Sequence, residues 1–435
     1  MPRLPWRSPP SRPRREAGGR AVRRWRDGTG ASMTSSAQIA GGAGRVAYVD
    51  GAAGLRSVCD HLAKAERVAL DTEFVGERTY VPALELIQVA TPGQTALIDC
   101  RAVPSLEPFF AVLANPQVEK VLHAGQQDLE LFYSLTGRAP APVTDTQLAA
   151  AMAGCGAQVG YAQLVERLLG VAVEKSETLT DWSRRPLTKA QLAYAVDDVR
   201  YLLALYDTLR ARLIGLQRWE WLREECRRLE GSVRSLPVEP EDAWLRVRGR
   251  GTLRAKGLVV LRALAAWREE FARSRNKPRA SVARDEVLVE IARKAPTTVE
   301  GVRGLRAVRS RELERHAGEV VQRIARALET PRDEWPQPAP PQPAAPSTGV
   351  VELLQAVLRL RAEEAGIAPS LLATHADLQV LVQRHGAGDA NALPIMQGWR
   401  RAIAGGDLLA LLEGRASVAL DPASGAVRVS TRGAG

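Results

Sequence analysis

The pattern of hydrophobic and polar positions divides the chain into an α/β part followed by helical parts. Between residues 45 and 215, short apolar runs such as Val68–Phe74 and Val118–His123 have the length of buried strands. They alternate with stretches of helical periodicity such as Lys189–Arg212. Two further apolar runs flank the turn Thr91–Gly93, which indicates a hairpin. Alternating strands and helices predict an α/β domain built on a mixed central sheet.

Downstream of this domain the apolar positions follow a helical period. In residues 216–332, Leu258, Leu261 and Leu264 recur at the spacing of about 3.6 residues that is typical of a helix. A second apolar helix begins at Asp285. We therefore expect residues 216–332 to form a linker followed by a small all-helical domain.

The two ends of the chain differ in composition and in periodicity. Residues 333–348 are rich in Pro, Ala and Gln and predict a linker, after which residues 349–435 predict a second helical domain that ends in a hairpin near Pro422–Gly425. Residues 1–44 are rich in Pro, Arg, Gly and Ser and lack periodicity, which predicts a disordered basic extension. It is either a basic arm or the product of an early start codon, with Met33 as the true first residue.

Charge is distributed unevenly among these segments. The chain carries +11 in total, made up of +7 in residues 1–32, −6 in 33–245, +11 in 246–329 and −1 in 330–435. A strongly basic domain beside an acidic one suits an enzyme that holds phosphates in one place and metal cations in another. The alternative is that the arginine-rich helices are solvated surfaces with no ligand.

Cysteine usage and hydropathy bear on the compartment. The four cysteines are scattered without a CxxC pair, so they suggest neither a disulfide framework nor a zinc site. No apolar run has the length of a membrane span, and no secretory signal is evident. We expect a cytoplasmic monomer that has no membrane or obligatory protein partner.

The first candidate chemistry is a pair of carboxylates on one strand. Asp71 and Glu73 are two residues apart, so both project from the same face of the strand, while Thr72 between them faces the other way. Two carboxylates on one face repel unless a cation lies between them, and Mg²⁺ or Mn²⁺ prefers such oxygen ligands. Alone, the pair is also compatible with a solvated strand end.

Two more acidic positions follow at the starts or faces of helices. Asp128 lies in the first turn of a helix that follows a strand, where a carboxylate also favours the helix dipole. Tyr194 and Asp198 are four residues apart and share one helix face. The neighbouring Asp197 points about 100° away around the helix, so the spacing to Tyr194 selects Asp198.

This order of residues resembles the DEDD exonuclease superfamily, and the tyrosine marks its DEDDy branch. Four flanking segments are similar to ribonuclease D in particular, namely Leu70–Phe74, Leu86–Val89, Val143–Gln147 and Thr180–Leu187. Three segments of the basic helical domain are similar to the HRDC domain that follows the nuclease domain in that family, namely Leu261–Glu270, Arg284–Leu288 and Lys294–Pro296. Residues 349–435 look like a second, degenerate HRDC domain.

The resemblance implies a fold and an activity. The fold is an α/β ribonuclease H-like exonuclease domain with a mixed central sheet, followed by two small all-helical HRDC-like domains. The activity is a metal-dependent 3′→5′ exoribonuclease that releases 5′-mononucleotides, with tRNA precursors and other structured RNA bearing a free 3′ end as substrates. Alternatives are a DNA 3′-exonuclease and a catalytically inactive RNA-binding scaffold.

The resemblance also implies roles for single residues. Asp71, Glu73, Asp128 and Asp198 are the ligands of two divalent metal ions, Mg²⁺ or Mn²⁺, and Tyr194 positions the attacking water. From charge and aromaticity we add Trp182, Arg184 and Arg185 as candidate RNA contacts, the alternative being a structural tryptophan with surface arginines. The basic run around one helix end supplies further candidates for contact with the RNA backbone, namely Arg268, Arg273, Arg275, Lys277 and Arg279.

Overall fold

The computed structural model describes residues 38–39, 45–76, 79–173, 180–233, 239–305, 311–338, 346–423 and 425–431. Apart from residues 38–39, the predicted basic extension at 1–44 lies outside the described residues, as does much of the predicted linker at 333–348. Within this part of the chain, none of the helices combines the length and the apolar character that a transmembrane span requires.

A mixed sheet forms the centre of the first domain. Its strands are β1 (Gln38–Ile39), β2 (Arg45–Val49), β3 (Arg67–Val75), β4 (Ala83–Thr91), β5 (Gln94–Asp99), β6 (Glu119–Leu122) and β7 (Val143–Asp145). They are arranged in the order β1-β2-β5-β4-β3-β6-β7. The pairs β2/β5, β3/β6 and β6/β7 are parallel, and the other neighbours are antiparallel. The predicted mixed sheet and the predicted hairpin at Thr91–Gly93 are both present.

The strand order places the candidate acidic residues at one edge of the sheet. Because β3, β6 and β7 run parallel, their carboxyl ends meet at the same edge. Asp71 and Glu73 lie in the second half of β3, and Asp128 lies in the helix that follows β6. Residues that are far apart in the sequence are thereby brought to one place.

Helices cover both faces of the sheet. They are α1 (Ala52–Leu62), α2 (Glu107–Ala114), α3 (Gln126–Thr136), α4 (Thr146–Met152), α5 (Tyr161–Leu169), α6 (Lys189–Arg200), α7 (Leu202–Gly215) and α8 (Trp219–Ser232). The face that carries Leu86 and Leu97 packs against Ala195 and Val196 of α6 in one apolar cluster. Helix α6 therefore lies directly over the strands that hold the candidate site.

The basic part of the chain forms a helical domain with a core of its own. Its helices are α9 (Ala255–Ser274), α10 (Arg279–Val282), α11 (Asp285–Lys294), α12 (Val299–Arg303), α13 (Arg311–Arg315) and α14 (Ala317–Glu329). Leu258, Leu261 and Leu264 are buried in this core, as their period predicts. Tyr80, from the β3–β4 connection, packs against the same core, so the helical domain contacts the loop that leaves the candidate site strand.

The C-terminal part packs on the first domain and shares its core. It contains α15 (Thr348–Ala365), α16 (Pro369–Leu372), α17 (His375–Ala387), α18 (Gly398–Arg400), α19 (Gly406–Leu412), β8 (Ala416–Leu420) and β9 (Val427–Thr431). The strands β8 and β9 form the hairpin predicted near Pro422–Gly425. Arg400 donates two hydrogen bonds to the buried carboxylate of Glu225 in α8, and the Trp221 and Trp399 rings stack 5.1 Å apart. The sequence did not predict this docking.

Candidate active site

Three carboxylates converge where β3 meets α6. Ligand oxygens of Asp71, Glu73 and Asp198 lie within 4.8 Å of one another. The two strand residues point to one face because they are two apart, and α6 brings Asp198 over that face. Without a cation this arrangement sets three negative charges against each other, so a cation that binds all three would relieve the repulsion.

Asp128 approaches the same cluster from the start of α3. The turn before it needs Gly125, because a Cβ atom there would lie 2.7 Å from the Leu122 side chain. Asp128 is 8% exposed and accepts a hydrogen bond from the Thr72 hydroxyl. It is not within the 4.8 Å group, so the described structure brings three of the four predicted ligands together and holds the fourth beside them.

Thr72 is a residue of the site to which sequence reasoning gave no role. The alternation along β3 assigned it to the face opposite Asp71, where no ligand was expected. Its hydroxyl nevertheless donates to Asp128, in the first turn of α3. No local sequence signal identifies this contact.

The electrostatics of the cluster reflect crowding of buried carboxyl groups. Burial, together with the charges of Asp198 and Asp128, raises the pKa of Glu73 to about 8. Burial and the neighbouring carboxylates, Asp128 first among them, hold the pKa of Asp71 well above its usual value. A set of crowded oxygen donors with raised pKa values fits a hard divalent cation, because a bound cation stabilises the ionised forms.

At the other two carboxyl groups, hydrogen bonds act against the burial that raises the pKa. Burial raises the pKa of Asp198 to about 7, although the hydrogen bond from the Tyr194 hydroxyl acts in the opposite direction. Burial likewise raises the pKa of Asp128 to about 6, against the bond from Thr72. Each of these two ligand candidates is thus held by a hydroxyl donor before any cation binds.

Helix α6 sets the positions of Tyr194 and Asp198. It begins with a capping box in which the Thr188 hydroxyl accepts from the Gln191 amide and the Gln191 side chain accepts from the Thr188 amide. This confirms the predicted start of the helix. Tyr194 packs its ring beside Trp182, with the centroids 6.0 Å apart.

A tyrosine from α5 interrupts the helix at the candidate ligand. The Tyr161 hydroxyl donates to the Asp197 carbonyl at 2.8 Å and accepts from the Tyr201 amide at 3.1 Å. These two groups would otherwise bond to each other as residues i and i+4 of one helix. The inserted hydroxyl divides the predicted helix Lys189–Arg212 into α6 and α7, next to Asp198.

The acidic neighbours of the cluster have structural partners. Asp197 pairs with Arg200 at 3.4 Å, which supports the choice of Asp198 as the ligand candidate. Asp145 caps α4 by accepting from the amide of Gln147, and its second oxygen accepts from the amide of Gly125 at 2.9 Å. Asp145 therefore stabilises the turn that presents Asp128.

The candidate RNA contacts near α6 are placed differently from the sequence expectation. Trp182 is 4% exposed, so its ring offers no open face for stacking on a base. Arg185 donates to both carboxylate oxygens of Asp99, at 2.6 and 2.9 Å. Only Arg184 is well exposed, and its nearest carboxylate is Asp181 at 3.5 Å.

The candidates in the basic domain also divide into two groups. Arg268 is 5% exposed and bonded to Asp285, while Arg279 is bonded to the buried Glu269. The other three lie at the surface, where Lys277 pairs with Glu312 while Arg273 and Arg275 are exposed at the end of α9. Both side chains of the first group neutralise carboxylates of the domain, Arg268 as a buried residue and Arg279 as a partly exposed one.

Comparison with known proteins identifies the family. Residues 46–214 match the 3′-5′ exonuclease family model, and residues 257–324 match the HRDC domain model. The ribonuclease D of Acidiphilium cryptum is 41% identical over 84% of this chain and 92% of its own length. The ribonuclease D of Nitrobacter hamburgensis is 38% identical over 84% of this chain and 95% of its own length.

The chain belongs to the ribonuclease D family. Among solved structures, Escherichia coli RNase D matches with a TM-score of 0.76 and 32% identity, covering 84% of this chain and 98% of that one. The predicted fold class, an exonuclease domain with a mixed sheet followed by a helical HRDC domain, is confirmed. The predicted enzyme class, a hydrolytic 3′→5′ exoribonuclease of the ribonuclease D kind, is confirmed as well.

Proposed function

We propose that the four carboxylates of the cluster hold two divalent metal ions, Mg²⁺ or Mn²⁺, and that Tyr194 positions the attacking water. The carboxylates are those of Asp71, Glu73, Asp128 and Asp198. The main support is that ligand oxygens of Asp71, Glu73 and Asp198 lie within 4.8 Å of one another. In the described part of the chain, no lysine or arginine forms an ion pair with these three, so the protein itself supplies no charge that would replace a cation.

The reaction that follows is hydrolysis of the last phosphodiester bond. Divalent cations bound at such a site activate a water and offset charge on the scissile phosphate. The Tyr194 hydroxyl, one helical turn from Asp198, would orient that water. The water oxygen attacks phosphorus, the bond to the 3′-oxygen breaks, and that oxygen takes up a proton. The products are a 5′-mononucleotide and an RNA shortened by one residue.

The basic domain is proposed to hold the RNA backbone upstream of the cleaved bond. Arg273 and Arg275 present charge at the surface. A cavity of about 350 Å³ is lined by Arg246, Arg248 and Arg284, together with Asp285, Glu286 and the carboxylate-bonded Arg268 and Arg279. Phosphate contacts of this kind carry no sequence preference. They suit an enzyme that shortens RNA of varied sequence.

The proposed substrates are structured RNAs with a free 3′ end, tRNA precursors in particular. The E. coli relative is described as an exoribonuclease involved in structured RNA processing, and we extend that role to this chain. A cytoplasmic monomer remains a prediction, as do the second HRDC-like domain at 349–435 and the division of the chain into its predicted domains.

Digestion of a 5′-labelled single-stranded RNA tests the reaction. The substrate is offered with a free or a blocked 3′ end, in Mg²⁺, Mn²⁺ or EDTA, beside a DNA of matched sequence. We expect a ladder that shortens from the free 3′ end, requires metal and is weaker on DNA. Equal digestion of DNA would favour the DNA exonuclease, and binding of RNA without digestion in any metal would favour the inactive scaffold.

A precursor tRNA with a 3′ extension tests the substrate. We expect shortening that stops at the folded acceptor stem, because a site that accepts a single strand does not accept a base-paired 3′ end. Degradation through the stem at the rate of an unstructured RNA would contradict a maturation role while leaving the exonuclease assignment intact.

A further inference from the structure

Gln88 is a buried amide with no hydrogen-bond partner beside the carboxylate cluster. It lies in the middle of β4, inside the segment Leu86–Val89, and is 0% exposed. Neither its Nε2 nor its Oε1 has a partner among the described residues. In the described part of the chain it is the only side chain with two buried polar atoms that lack a hydrogen-bond partner. Burying an amide without partners is unfavourable, so the position calls for a functional reason.

The strand register places Gln88 next to a candidate ligand. Asp71 of β3 lies directly opposite Gln88, and Leu97 of β5 lies opposite it on the other side. Directly opposed residues of antiparallel strands project from the same face of the sheet, with Cβ atoms about 4.5–5.5 Å apart. Gln88 and Asp71 therefore share one face, the face that α6 covers with Ala195 and Val196.

The chemistry of an amide suits this position better than the alternatives. A lysine or arginine beside Asp71 would neutralise the carboxylate and compete with a cation for it. A glutamate would add another negative charge to a cluster whose members already repel. An amide N–H donates at every pH without adding charge, so it can orient a carboxylate and leave that carboxylate's charge for a metal.

We infer that Gln88 is a positioning residue of the metal site, whose Nε2 would donate to a carboxylate oxygen of Asp71. The inference rests on the proposed metal-binding role of the cluster. Ligating carboxylates are commonly oriented by such hydrogen bonds, and loss of a partner of this kind typically lowers metal affinity or activity about 10–100-fold. In this view Asp71 would be the partner that Gln88 lacks, once the site holds its cations.

Mn²⁺ binding to the full chain, measured by calorimetry, tests this with the variant Gln88→Met. We expect Mn²⁺ affinity to fall about 10–100-fold. The melting temperature in EDTA should stay the same or rise, because an apolar side chain of similar length replaces an unpartnered amide. A merely structural role gives the opposite pair of results, a lower melting temperature in EDTA with unchanged Mn²⁺ affinity, and would overturn the inference.

Two further variants keep the test decisive. Gln355→Met, at a buried glutamine of α15 in the C-terminal part, is the matched control and should leave Mn²⁺ affinity unchanged. If Gln88→Met does not fold, Gln88→Asn retains the amide but shortens its reach. Weaker Mn²⁺ binding by Gln88→Asn supports the inference, and unchanged binding overturns it.

Failure of the proposed function gives a separate result. If the wild-type chain shows no saturable Mn²⁺ binding, or if Asp71→Asn binds Mn²⁺ as the wild type does, the metal site itself is misassigned. If the wild type binds Mn²⁺, Asp71→Asn does not, and Gln88→Met matches the wild type, only the role of Gln88 is refuted.

Discussion

Buried carboxylates occur in both the basic domain and the active site, but only those of the basic domain have a fixed cation. Glu269 of α9 is 1% exposed, and Arg279 donates to both of its oxygens at 2.5 and 2.8 Å. The Tyr80 hydroxyl also donates to it. Burial acts to raise the pKa of Glu269, but the bonds from Arg279 and Tyr80 outweigh it and the pKa lies below its usual value.

The pKa of Glu73 in the candidate active site is raised instead of lowered. Glu73 is partly buried beside Asp71 and Asp198, and burial together with the charges of Asp198 and Asp128 raises its pKa to about 8. A carboxylate paired with an arginine thus has a lowered pKa, whereas a carboxylate that we propose to bind an exchangeable cation has a raised one. Arg279 is part of the fold, whereas the cation proposed for the candidate active site would come from solution.

The largest expected effect comes from removing a candidate metal ligand that has no arginine or lysine partner among the described residues. Asp198→Ala should lower single-turnover RNA hydrolysis by roughly 10³-fold or more, because ligands of one site act as a unit. RNA binding in EDTA should stay close to that of the wild type. Asp197→Ala is the matched control, since Asp197 pairs with Arg200 instead. Equal losses in the two variants would show that the site has been assigned to the wrong aspartate.

The next effect comes from removing a fixed cation. Arg279→Met leaves the buried Glu269 without its cation, with only the Tyr80 hydroxyl among the described residues still donating to it, and should lower the free energy of unfolding by about 3–5 kcal/mol. Urea denaturation followed by tryptophan fluorescence measures this, with the exposed Arg326→Met as control. The double variant Arg279→Met with Glu269→Met should recover much of the loss. A double variant as unstable as the single one would mean that packing, not charge, dominates here.

A smaller loss of activity is expected at the helix interruption. Tyr161→Phe removes the hydroxyl that separates the Asp197 carbonyl from the Tyr201 amide, so the helix can close and turn Asp198 away. We expect kcat to fall about 10-fold with little change in KM, as for loss of an indirect support of a ligand. Tyr133→Phe on α3 is the control. A change confined to KM would place Tyr161 in RNA binding instead.

The raised pKa values predict a pH dependence of stability in EDTA. Groups whose pKa is higher in the folded chain bind protons more tightly there, so their stabilising contribution is complete below the ordinary carboxyl pKa of about 4. It is lost as the pH rises through about 6, 7 and 8, the pKa values of Asp128, Asp198 and Glu73. The melting temperature should therefore fall between pH 5.5 and 8.5.

Two comparisons isolate this effect from other titrating groups. Asp198→Asn should have a shallower fall than the wild type, because it removes one charge from the cluster. Saturating Ca²⁺ should flatten the fall as well, since a bound cation stabilises the ionised carboxylates. Identical slopes in all three samples would mean that the cluster does not control the pH dependence.

The smallest effect is expected at the exposed arginines of the basic domain. Arg273→Gln and Arg275→Gln should each weaken RNA binding a few-fold, and each should lower the slope of log K against log salt by about one. Fluorescence anisotropy in EDTA measures both, with Arg303→Gln on the end of α12 as control. Point substitution is preferable to deletion, because residues 349–435 share a core with the exonuclease domain.

Local features of the site could be predicted because they depend on residues close together in the sequence. The alternation of a strand puts Asp71 and Glu73 on one face, and one helical turn aligns Tyr194 with Asp198. The resemblance to the DEDDy exonucleases joined these residues and Asp128 into one predicted set of metal ligands. These calculations of spacing need no knowledge of which surfaces meet.

Contacts between distant elements could not be predicted in the same way. Thr72 bonds to Asp128, Tyr161 enters the helix at Asp197, and Arg400 reaches Glu225 only because separate elements pack together. The expected RNA contacts Trp182 and Arg268 are buried for the same reason. Composition shows that a side chain is aromatic or charged, but not whether it faces solvent.

The sequence by itself determined the α/β and helical organisation through its periodicity, and its motifs pointed to the family and to the candidate acidic ligands through their resemblance to known exonucleases. The tertiary structure decided which buried carboxylates are neutralised by arginine and which have no such partner among the described residues. It also placed Gln88 opposite Asp71, because strand pairing joins residues whose distance in the sequence carries no signal. The physical reason is that burial and charge pairing depend on the surfaces that meet when the chain folds.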